Sequence, residues 1–399
     1  MKKFILLSVF LASSFAWAQS TYEVGVVIDS IAVADSEDET FALYLPKNYS
    51  SKKLSSIVFI FEPAARGKVG LLPFLKASEK YNHILVCSNN SRNGSYDRNF
   101  AIANRLFNHV FGQFAINKDL VFLSGFSGGS RLAATIAALS EGITGVIACG
   151  AGLSTQPSHV PYGKDFLYAG ICGTRDMNYT EMLDLMPFLE SLKFSKTLFT
   201  YDAGHRWPPE GKILEAFDWL HIELHKKGVV PLEENVLKDL YVANYDKAEK
   251  KLAKKEVLLA LEDLNRLRHS FGSFYNLDSV TIKIKNIRNK PVYKTSSKEQ
   301  DKAIKTEQEL TKRYLEKINK EFVSHEEANI NWWGKEFQKL KKQHIKGGDE
   351  TKKMIERVRY KIFASFYQRV NPNINPESAE KQRRYSKEII ALLKESSVQ

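Results

Sequence analysis

The sequence of 399 residues contains only three cysteines, too few for a disulfide framework in a chain of this length. Cys87, Cys149 and Cys172 each lie in or at the end of an apolar run, so we expect buried free thiols. A Cys149–Cys172 bridge is the less favoured alternative, because adjacent parallel strands rarely have the geometry of a disulfide. No segment has the roughly 20 apolar residues of a membrane span. The sequence therefore excludes a disulfide scaffold and predicts no transmembrane helix.

Sequence patterns of metal and nucleic-acid sites are also scarce. His221 and His225 stand four residues apart, which is metal-ligand spacing on a helix. The glutamate of an HExxH motif is missing and no third ligand is evident, so we expect a partly exposed helical pair instead. There is no recognised nucleic-acid motif. We expect no metal, no organic cofactor and no nucleic-acid partner.

The N-terminus has the order of a secretory signal peptide. Lys2 and Lys3 precede a short apolar run over residues 4–15, and Ala16-Trp17-Ala18 follows. A basic start, a short apolar core and an A-x-A site are what signal cleavage needs. We expect cleavage after Ala18 and a periplasmic or secreted protein.

Charge divides the remaining chain near residue 230. The formal net charge is +12, and residues 231–399 hold 36 Lys and Arg against 25 Asp and Glu. The stretch 19–230 is close to neutral. Because about 380 residues are too many for one ordinary core, we expect a signal peptide over 1–18, an α/β domain over 19–230 and a basic helical domain over 231–399.

The most informative motif is the segment Gly125–Gly129, with the sequence GFSGG. It follows the apolar run Val121–Leu123 and precedes a run of small residues, Leu132–Ala138. A G-x-S-x-G segment between a strand and a helix is typical of a nucleophile elbow, in which the serine hydroxyl projects above the sheet. Ser127 is therefore a candidate nucleophile, unless the segment is only a glycine-rich turn.

An acid and a histidine follow in the order that a catalytic triad on this architecture requires. Asp176 comes after the apolar run Phe166–Cys172, and His205 comes after the run Thr197–Tyr201. In such a triad His205 acts as general base and acid, and Asp176 orients the imidazole. Asp184, within a predicted helix, is the reserve acid.

The segments GFSGG, GTRDMNY and GHRWPP, in this order, resemble the α/β-hydrolase superfamily. The G-H-x-W-P ending is similar to secreted esterases of the feruloyl esterase and polyhydroxybutyrate depolymerase type. The resemblance spans roughly residues 40–225. It implies a triad of Ser127, Asp176 and His205 and hydrolysis of an ester.

The oxyanion site departs from that family. The usual His-Gly pair is replaced by Glu62-Pro63-Ala64-Ala65. The amide of Gly128 follows from the elbow as one donor, and because Pro63 has no N–H the second donor would be an amide near Glu62 or Ala64; we assign Ala64. Glu62 either binds substrate or, as we favour, anchors the loop.

Two aromatic residues beside the triad segments are candidates for substrate binding. Trp207 follows His205 and Phe126 precedes Ser127. For Trp207 a packing anchor is an equally favoured alternative.

The order of elements predicts an α/β fold with a mostly parallel sheet of about eight strands, followed by an all-α region. Residues 22–34 and 40–45 form its expected antiparallel hairpin. In the second half apolar residues recur every three or four positions, with breaks at Lys290-Pro291 and Gly347-Gly348. This half resembles a tetratricopeptide-like array, although no clean 34-residue repeat is present.

We therefore expect an exported serine hydrolase that cleaves a carboxylic ester through an acyl-Ser127 intermediate. Its substrate would be a small-molecule or polysaccharide-linked ester. A peptidase or thioesterase on the same triad is the nearer alternative, and a non-catalytic envelope adaptor is the alternative from another class. The basic half could bind a protein or an anionic envelope component, but a solvated lysine-rich surface is favoured. Likewise, packing in the core is favoured over an exposed platform for Trp332-Trp333.

Overall fold

The computed structural model describes residues 22–323, 329–371 and 380–396; the predicted signal peptide over 1–18 lies outside them. The first half contains one eight-stranded sheet, with the order β1-β2-β4-β3-β5-β6-β7-β8. β1 pairs antiparallel with β2, β2 pairs antiparallel with β4, and the remaining neighbours are parallel. The strands are β1 Val27–Ala32, β2 Thr40–Tyr44, β3 Ser55–Phe61, β4 His83–Ser88, β5 Ile116–Phe126, β6 Gly145–Cys149, β7 Leu167–Gly173 and β8 Lys196–Tyr201.

Six helices connect these strands or follow them. They are α1 Gly67–Leu71, α2 Leu75–Tyr81, α3 Tyr96–Gln113, α4 Gly128–Leu139, α5 Tyr179–Ser191 and α6 Glu210–Lys226. The predicted α/β fold with a mostly parallel sheet and an N-terminal hairpin is confirmed.

Helices cover both faces of the sheet, because successive side chains of a strand point to opposite sides. In β3, Phe59 packs into a core with α3, α4 and α5. Its neighbours Val58 and Ile60 pack into the opposite core with α1, α2 and α6. Strand β3 is therefore buried at every position rather than at alternate ones. The loops that follow the parallel strands gather at the carboxyl ends of those strands.

The second half is helical, as predicted. Its helices are α7 Glu234–Ala253, α8 Val257–Phe271, α9 Asp278–Asn289, α10 Pro291–Val323, α11 Ile330–Lys346, α12 Asp349–Val370 and α13 Glu380–Glu395. Helices end at the predicted Lys290-Pro291 and Gly347-Gly348 breaks. Helices α7–α9 share one core, which also takes Ile222 from α6, and α10–α13 share another. Trp333 is fully buried there, and its indole N–H donates to Glu321 and Tyr385, which confirms core packing for this residue. The tetratricopeptide-like repeat and the domain boundary at residue 230 stay predictions.

Side chains of α8 satisfy the outer edge of β8. The backbone N–H of Thr200 donates to Glu262 Oε1 at 3.0 Å, and Arg266 Nη1 donates to the carbonyl of Leu198 at 2.7 Å. The guanidinium of Arg266 also lies over the ring of Phe199. An edge strand with unpaired backbone groups invites pairing with another chain. Here the helical half covers that edge, so the two halves pack together.

All three cysteines are buried and free, as expected. Among the described residues, none of the helices combines the length and the apolar character that a bilayer crossing requires.

His221 differs from expectation, because it is buried rather than partly exposed. Its ring stacks on Tyr81, with 3.7 Å between ring centroids, and its Nε2 lies 3.4 Å from Nε2 of His83. Burial, together with the charge of Lys80, lowers the pKa of His221 to about 3. Burial likewise holds the pKa of His83 well below its usual value. Both imidazoles are therefore neutral in the folded protein.

Acid should destabilise the fold through this pair. The unfolded chain takes up a proton on His221 below its usual pKa of about 6.5, whereas the folded chain does not do so until about pH 3. The free energy of unfolding is therefore full above pH 6.5 and falls as the pH drops, by about 1.4 kcal/mol per pH unit for one histidine. Urea unfolding at several values between pH 7.5 and pH 5 should give a shallower fall for His221→Gln than for wild type. The exposed His269 gives the control, since His269→Gln should keep the wild-type slope; equal slopes for all three proteins would contradict the account.

Candidate active site

Ser127 occupies the turn between β5 and α4 in a backbone conformation that side chains rarely adopt. Its φ is 54° and its ψ is −119°. A positive φ in a residue other than glycine costs free energy and persists only where the surroundings enforce it. At this turn the chain passes from a central strand straight into a helix, as the G-x-S-x-G motif predicts.

The neighbouring glycines allow the turn to approach β3. A Cβ on Gly129 would lie 2.0 Å from the carbonyl oxygen of Phe61. A Cβ on Gly125 would lie 2.3 Å from the carbonyl oxygen of Gly129. Both contacts are with backbone, which cannot swing aside as a side chain could. The glycines therefore set how closely the turn packs, and with it the direction of the Ser127 side chain.

Ser127, His205 and Asp176 form a continuous chain of hydrogen bonds. The Ser127 Oγ lies 2.9 Å from His205 Nε2, and His205 Nδ1 lies 2.8 Å from Asp176 Oδ2 and 2.9 Å from Oδ1. The side chain of Asp176 is 1% exposed and that of His205 is 7% exposed. Asp176 follows β7 and His205 follows β8, so the parallel strands bring both residues to the edge where β5 ends.

The carboxylate determines which nitrogen of the imidazole is basic. An ionised carboxylate only accepts hydrogen bonds, so His205 Nδ1 carries the proton and donates it to Asp176. His205 Nε2 is then free to accept from the Ser127 hydroxyl. The backbone N–H of Asn178 also donates to Asp176 Oδ1, at 2.9 Å, and holds the carboxylate in place.

The alternative acids are placed elsewhere. Asp202 pairs with Arg175, with 2.6 Å between its Oδ1 and Arg175 Nε. Asp184 is exposed on α5. Of Asp176, Asp184 and Asp202, Asp176 is the one that the structure brings to His205.

The amide of Ala64 donates to Glu62 Oε2 at 2.7 Å, which corrects its assignment as the second oxyanion donor. Glu62 is fully buried and also accepts from the backbone and the guanidinium of Arg66. The Glu62 carboxylate thus accepts the N–H groups of Ala64 and Arg66, which would otherwise be available to an oxyanion. The favoured role of Glu62 as a loop anchor is confirmed.

Asn93 lies beside Gly128 at the candidate site, although no motif in the sequence predicted it as a site residue. Its backbone N–H donates to the carbonyl of Pro63 at 2.9 Å. Its side-chain amide covers Gly128, because a Cβ on that glycine would lie 1.8 Å from Asn93 Oδ1. Gly128 opens α4, where N–H groups have no partner within the helix. A cavity of about 90 Å³ borders Gly128 and Asn93 and is also lined by Tyr96 and Leu132.

Phe126 and Trp207 both lie beside the triad. The ring of Phe126 is 4.6 Å from that of His205 and 5.3 Å from that of Trp207, measured between centroids. Trp207 also packs edge-on against Phe74, 5.9 Å away, and joins the core beneath the sheet. These contacts favour the packing role for Trp207, and substrate binding by either ring stays a prediction.

Helix α12 packs on the loop that carries Asp176. Arg175 bonds Glu356 at 2.7 Å. Arg357 is fully buried, donates from Nη1 to the carbonyl of Thr174 at 2.7 Å, and pairs through Nε with Glu307 at 2.6 Å. Contacts across more than 170 residues of sequence thus hold both residues before Asp176.

The same helix places Tyr360 against the triad. The centroids of the Tyr360 and His205 rings are 5.4 Å apart. Burial and the charge of Asp176 raise the pKa of the Tyr360 hydroxyl. No local motif marks Tyr360, which lies 155 residues beyond His205, so reading the sequence did not reveal it.

No family model matches the chain, and neither does any curated protein. Solved structures similar to it include S-formylglutathione hydrolase (FrmB) from Staphylococcus aureus, at 14% identity over 49% of this chain and 96% of that one, with a TM-score of 0.43. Apo esterase 2 of Thermogutta terrifontis has 14% identity over 53% and 98% of the two chains, with a TM-score of 0.42. Serine hydrolase FphF of Staphylococcus aureus has 12% identity over 49% and 97%, also with a TM-score of 0.42.

Removing the buried guanidinium of Arg357 should destabilise the protein strongly, because the buried carboxylate of Glu307 would lose its closest cationic partner and be left with the longer contact to Lys361, at 3.7 Å. We expect Arg357→Ala to lower the free energy of unfolding by about 3–5 kcal/mol, as measured by denaturant unfolding. Arg384→Ala provides the matched control, since Arg384 pairs with Glu388 on the surface of α13 and its loss should cost about 0.5 kcal/mol or less. Similar losses in the two variants would contradict the importance of this contact.

Proposed function

We propose that this protein is a serine hydrolase of the α/β-hydrolase superfamily that cleaves carboxylic esters. The observation that carries the proposal is the hydrogen-bonded chain from Ser127 through His205 to Asp176. Ser127 is partly exposed at its turn, so a substrate carbonyl can reach its hydroxyl. A nucleophile, a base within 2.9 Å and a buried carboxylate that orients the base are the parts that acyl transfer needs.

In the proposed reaction His205 Nε2 takes the hydroxyl proton as Ser127 Oγ bonds to the ester carbonyl carbon. The carbonyl oxygen becomes an oxyanion, which the amide of Gly128 stabilises. The intermediate then expels the alcohol, which receives the proton from His205 Nε2, and leaves an acyl group on Ser127. Water then attacks the carbonyl carbon of the acyl group and gives a proton to His205 Nε2. His205 returns this proton to Ser127 Oγ as the acid leaves, which restores the serine.

We assign the second contact to the oxyanion to the side-chain amide of Asn93. Side-chain amides serve as oxyanion donors through their N–H groups, and the donor atom Nδ2 of Asn93 would lie 3.5 Å from a Cβ on Gly128. The assignment replaces Ala64, whose N–H is bonded to Glu62.

The same triad can also attack thioesters and peptide bonds, so a thioesterase or peptidase is the nearer alternative. The non-catalytic adaptor is less favoured, because a scaffold has no use for a strained serine aligned with a buried histidine and aspartate. From the G-H-x-W-P segment we also propose that the protein is similar to secreted esterases of the feruloyl esterase and polyhydroxybutyrate depolymerase type.

Export, with cleavage after Ala18 and a periplasmic or secreted location, is likewise proposed from the N-terminal sequence. An anionic or protein partner for the basic half stays a proposal. Several of its basic side chains already have acidic partners, among them Lys251 with Asp263 and Lys283 with Glu249, which supports a solvated surface.

Replacing the nucleophile should abolish the activity and leave the fold intact. For p-nitrophenyl acetate we expect Ser127→Ala to lower kcat/KM by at least about 10⁴-fold, with urea unfolding close to that of wild type. Ser191→Ala, a change of the same kind at the exposed end of α5, should retain the activity. A Ser127→Ala variant that hydrolyses the ester at the wild-type rate would overturn the proposed function.

A further inference from the structure

Three aromatic side chains form a row on α12, beginning at the triad. They are Tyr360, Phe363 and Tyr367, which we call the aromatic strip. Successive ring centroids are 5.6 Å and 5.8 Å apart. Spacings of three and four residues place all three on one side of a helix. The planes of the last two rings differ by only 17°, so their faces are nearly parallel.

The strip is open to solvent at both ends although its residues are large and apolar. Tyr360 is 39% exposed and Tyr367 is 48% exposed. Phe363 is half-buried and packs against the helical core, so the middle of the strip is anchored. Ala364, which shares this side of the helix, is too small to stand between the rings. The Tyr360 ring is tilted by 59° to that of Phe363. The helix thus displays a row of aromatic rings, about 10 Å long by the helical rise, whose first face is turned relative to the other two.

The strip begins on one particular side of the catalytic site. Tyr360 lies beside His205, whereas Gly128 and Asn93 lie on the oxyanion side of Ser127. In the proposed reaction His205 hands its proton to the departing alcohol, so the alcohol half of the ester must lie next to the imidazole. A surface that continues outward from His205 is therefore in position to bind the alcohol and not the acyl group.

We propose that the aromatic strip is the binding subsite for the alcohol half of the substrate, and that this alcohol carries a ring whose face packs on an aromatic side chain, either an aryl group or a sugar unit. Aromatic faces attract other flat faces through offset stacking and dispersion. Polar groups border the start of the strip, because Glu356 with its partners Arg175 and His344 lies one turn before Tyr360. A ring with polar substituents fits such a surface.

This inference rests on the proposed esterase activity and deepens it by naming a class of alcohol. It also gives the helical half a function, since that half supplies the whole strip. The contacts of Arg175 and Arg357 hold α12 on the loop of Asp176, so the strip keeps its position relative to the triad.

The test compares esters that share an acetyl group and differ in the alcohol: 2-naphthyl acetate, methyl 6-O-acetyl-glucopyranoside and n-hexyl acetate. The measured quantity is the ratio of kcat/KM for each ring ester to that for the hexyl ester, normalised to wild type so that leaving-group chemistry cancels. We expect Tyr360→Ala, at the start of the strip, to lower at least one ratio by about 3- to 10-fold, as loss of one stacking contact implies. Tyr367→Ala, at the far end, should have a smaller effect on these short alcohols. The naphthyl and glucosyl arms show which kind of ring the strip prefers.

Conservative and distant changes serve as controls. Tyr360→Phe keeps the ring and should keep the ratios. Tyr162→Ala removes a tyrosine that is 67% exposed in the loop between β6 and β7, and it should leave the ratios at the wild-type value. Replacing acetate by butyrate on the naphthyl alcohol should not change the effect of Tyr360→Ala.

Two results would overturn the strip as an alcohol subsite while leaving the esterase intact. One is unchanged ratios in both alanine variants, and the other is an effect that follows the acyl group instead of the alcohol. A different result would remove the proposed function itself, and the inference with it: wild type that cleaves none of the three esters, or a Ser127→Ala variant that cleaves them equally well.

Discussion

The close approach of the β5–α4 turn to the end of β3 is the constraint on which the rest of the site depends. Gly125 and Gly129 permit this approach because neither has a Cβ. Ser127 adopts a strained positive φ at the same turn. The result is a hydroxyl that points away from the sheet and a helix whose first N–H lies beside it. The loops after β7 and β8 reach the same edge because these strands run parallel to β5. Asp176 and His205 then complete the hydrogen-bonded chain, and neither residue has a positive φ.

The helical half is built onto this arrangement rather than attached beside it. Side chains of α8 satisfy the open edge of β8, and the buried guanidinium of Arg357 bonds the loop before Asp176. Tyr360 adds a wall next to His205. From the sequence, a solvated lysine-rich surface is favoured for this half over a binding surface for a protein or an anionic component. Its contacts add that α12 packs on the loop before Asp176 and forms one side of the candidate site.

Most of the fold and the core of the candidate site follow from local sequence. Apolar runs separated by amphipathic segments predict the sheet, and a serine between glycines predicts the turn at Ser127, since both signals lie within a few residues. The order of Asp176 and His205 along the chain, each after a later strand, then predicts which acid and which histidine join Ser127. Burial of His221 was not predictable, because it depends on Tyr81 and His83 far away in the chain.

Neither the hydrogen bonding of the loop over residues 62–65 nor the role of α12 could be predicted from local sequence. Ala64 looked suitable by position, but the carboxylate of Glu62 takes its N–H. Whether a carboxylate turns back on its own loop depends on the folded shape of that loop. The spacing of Tyr360, Phe363 and Tyr367 is visible in the sequence as a helical stripe. Such a stripe usually faces a core, and only the packing of α12 on the Asp176 loop reveals that its ends stay open beside a histidine.

The central claim is that Ser127 carries the acyl group during turnover. It is tested most directly by quenching the reaction with acid within milliseconds of mixing with a slowly deacylating p-nitrophenyl ester, followed by peptide mapping by mass spectrometry. The account predicts one added acyl group per chain, on the peptide containing Ser127, and its loss on longer incubation. Turnover of the ester with the acyl group on another residue, or with no acyl-enzyme at any time, would contradict it.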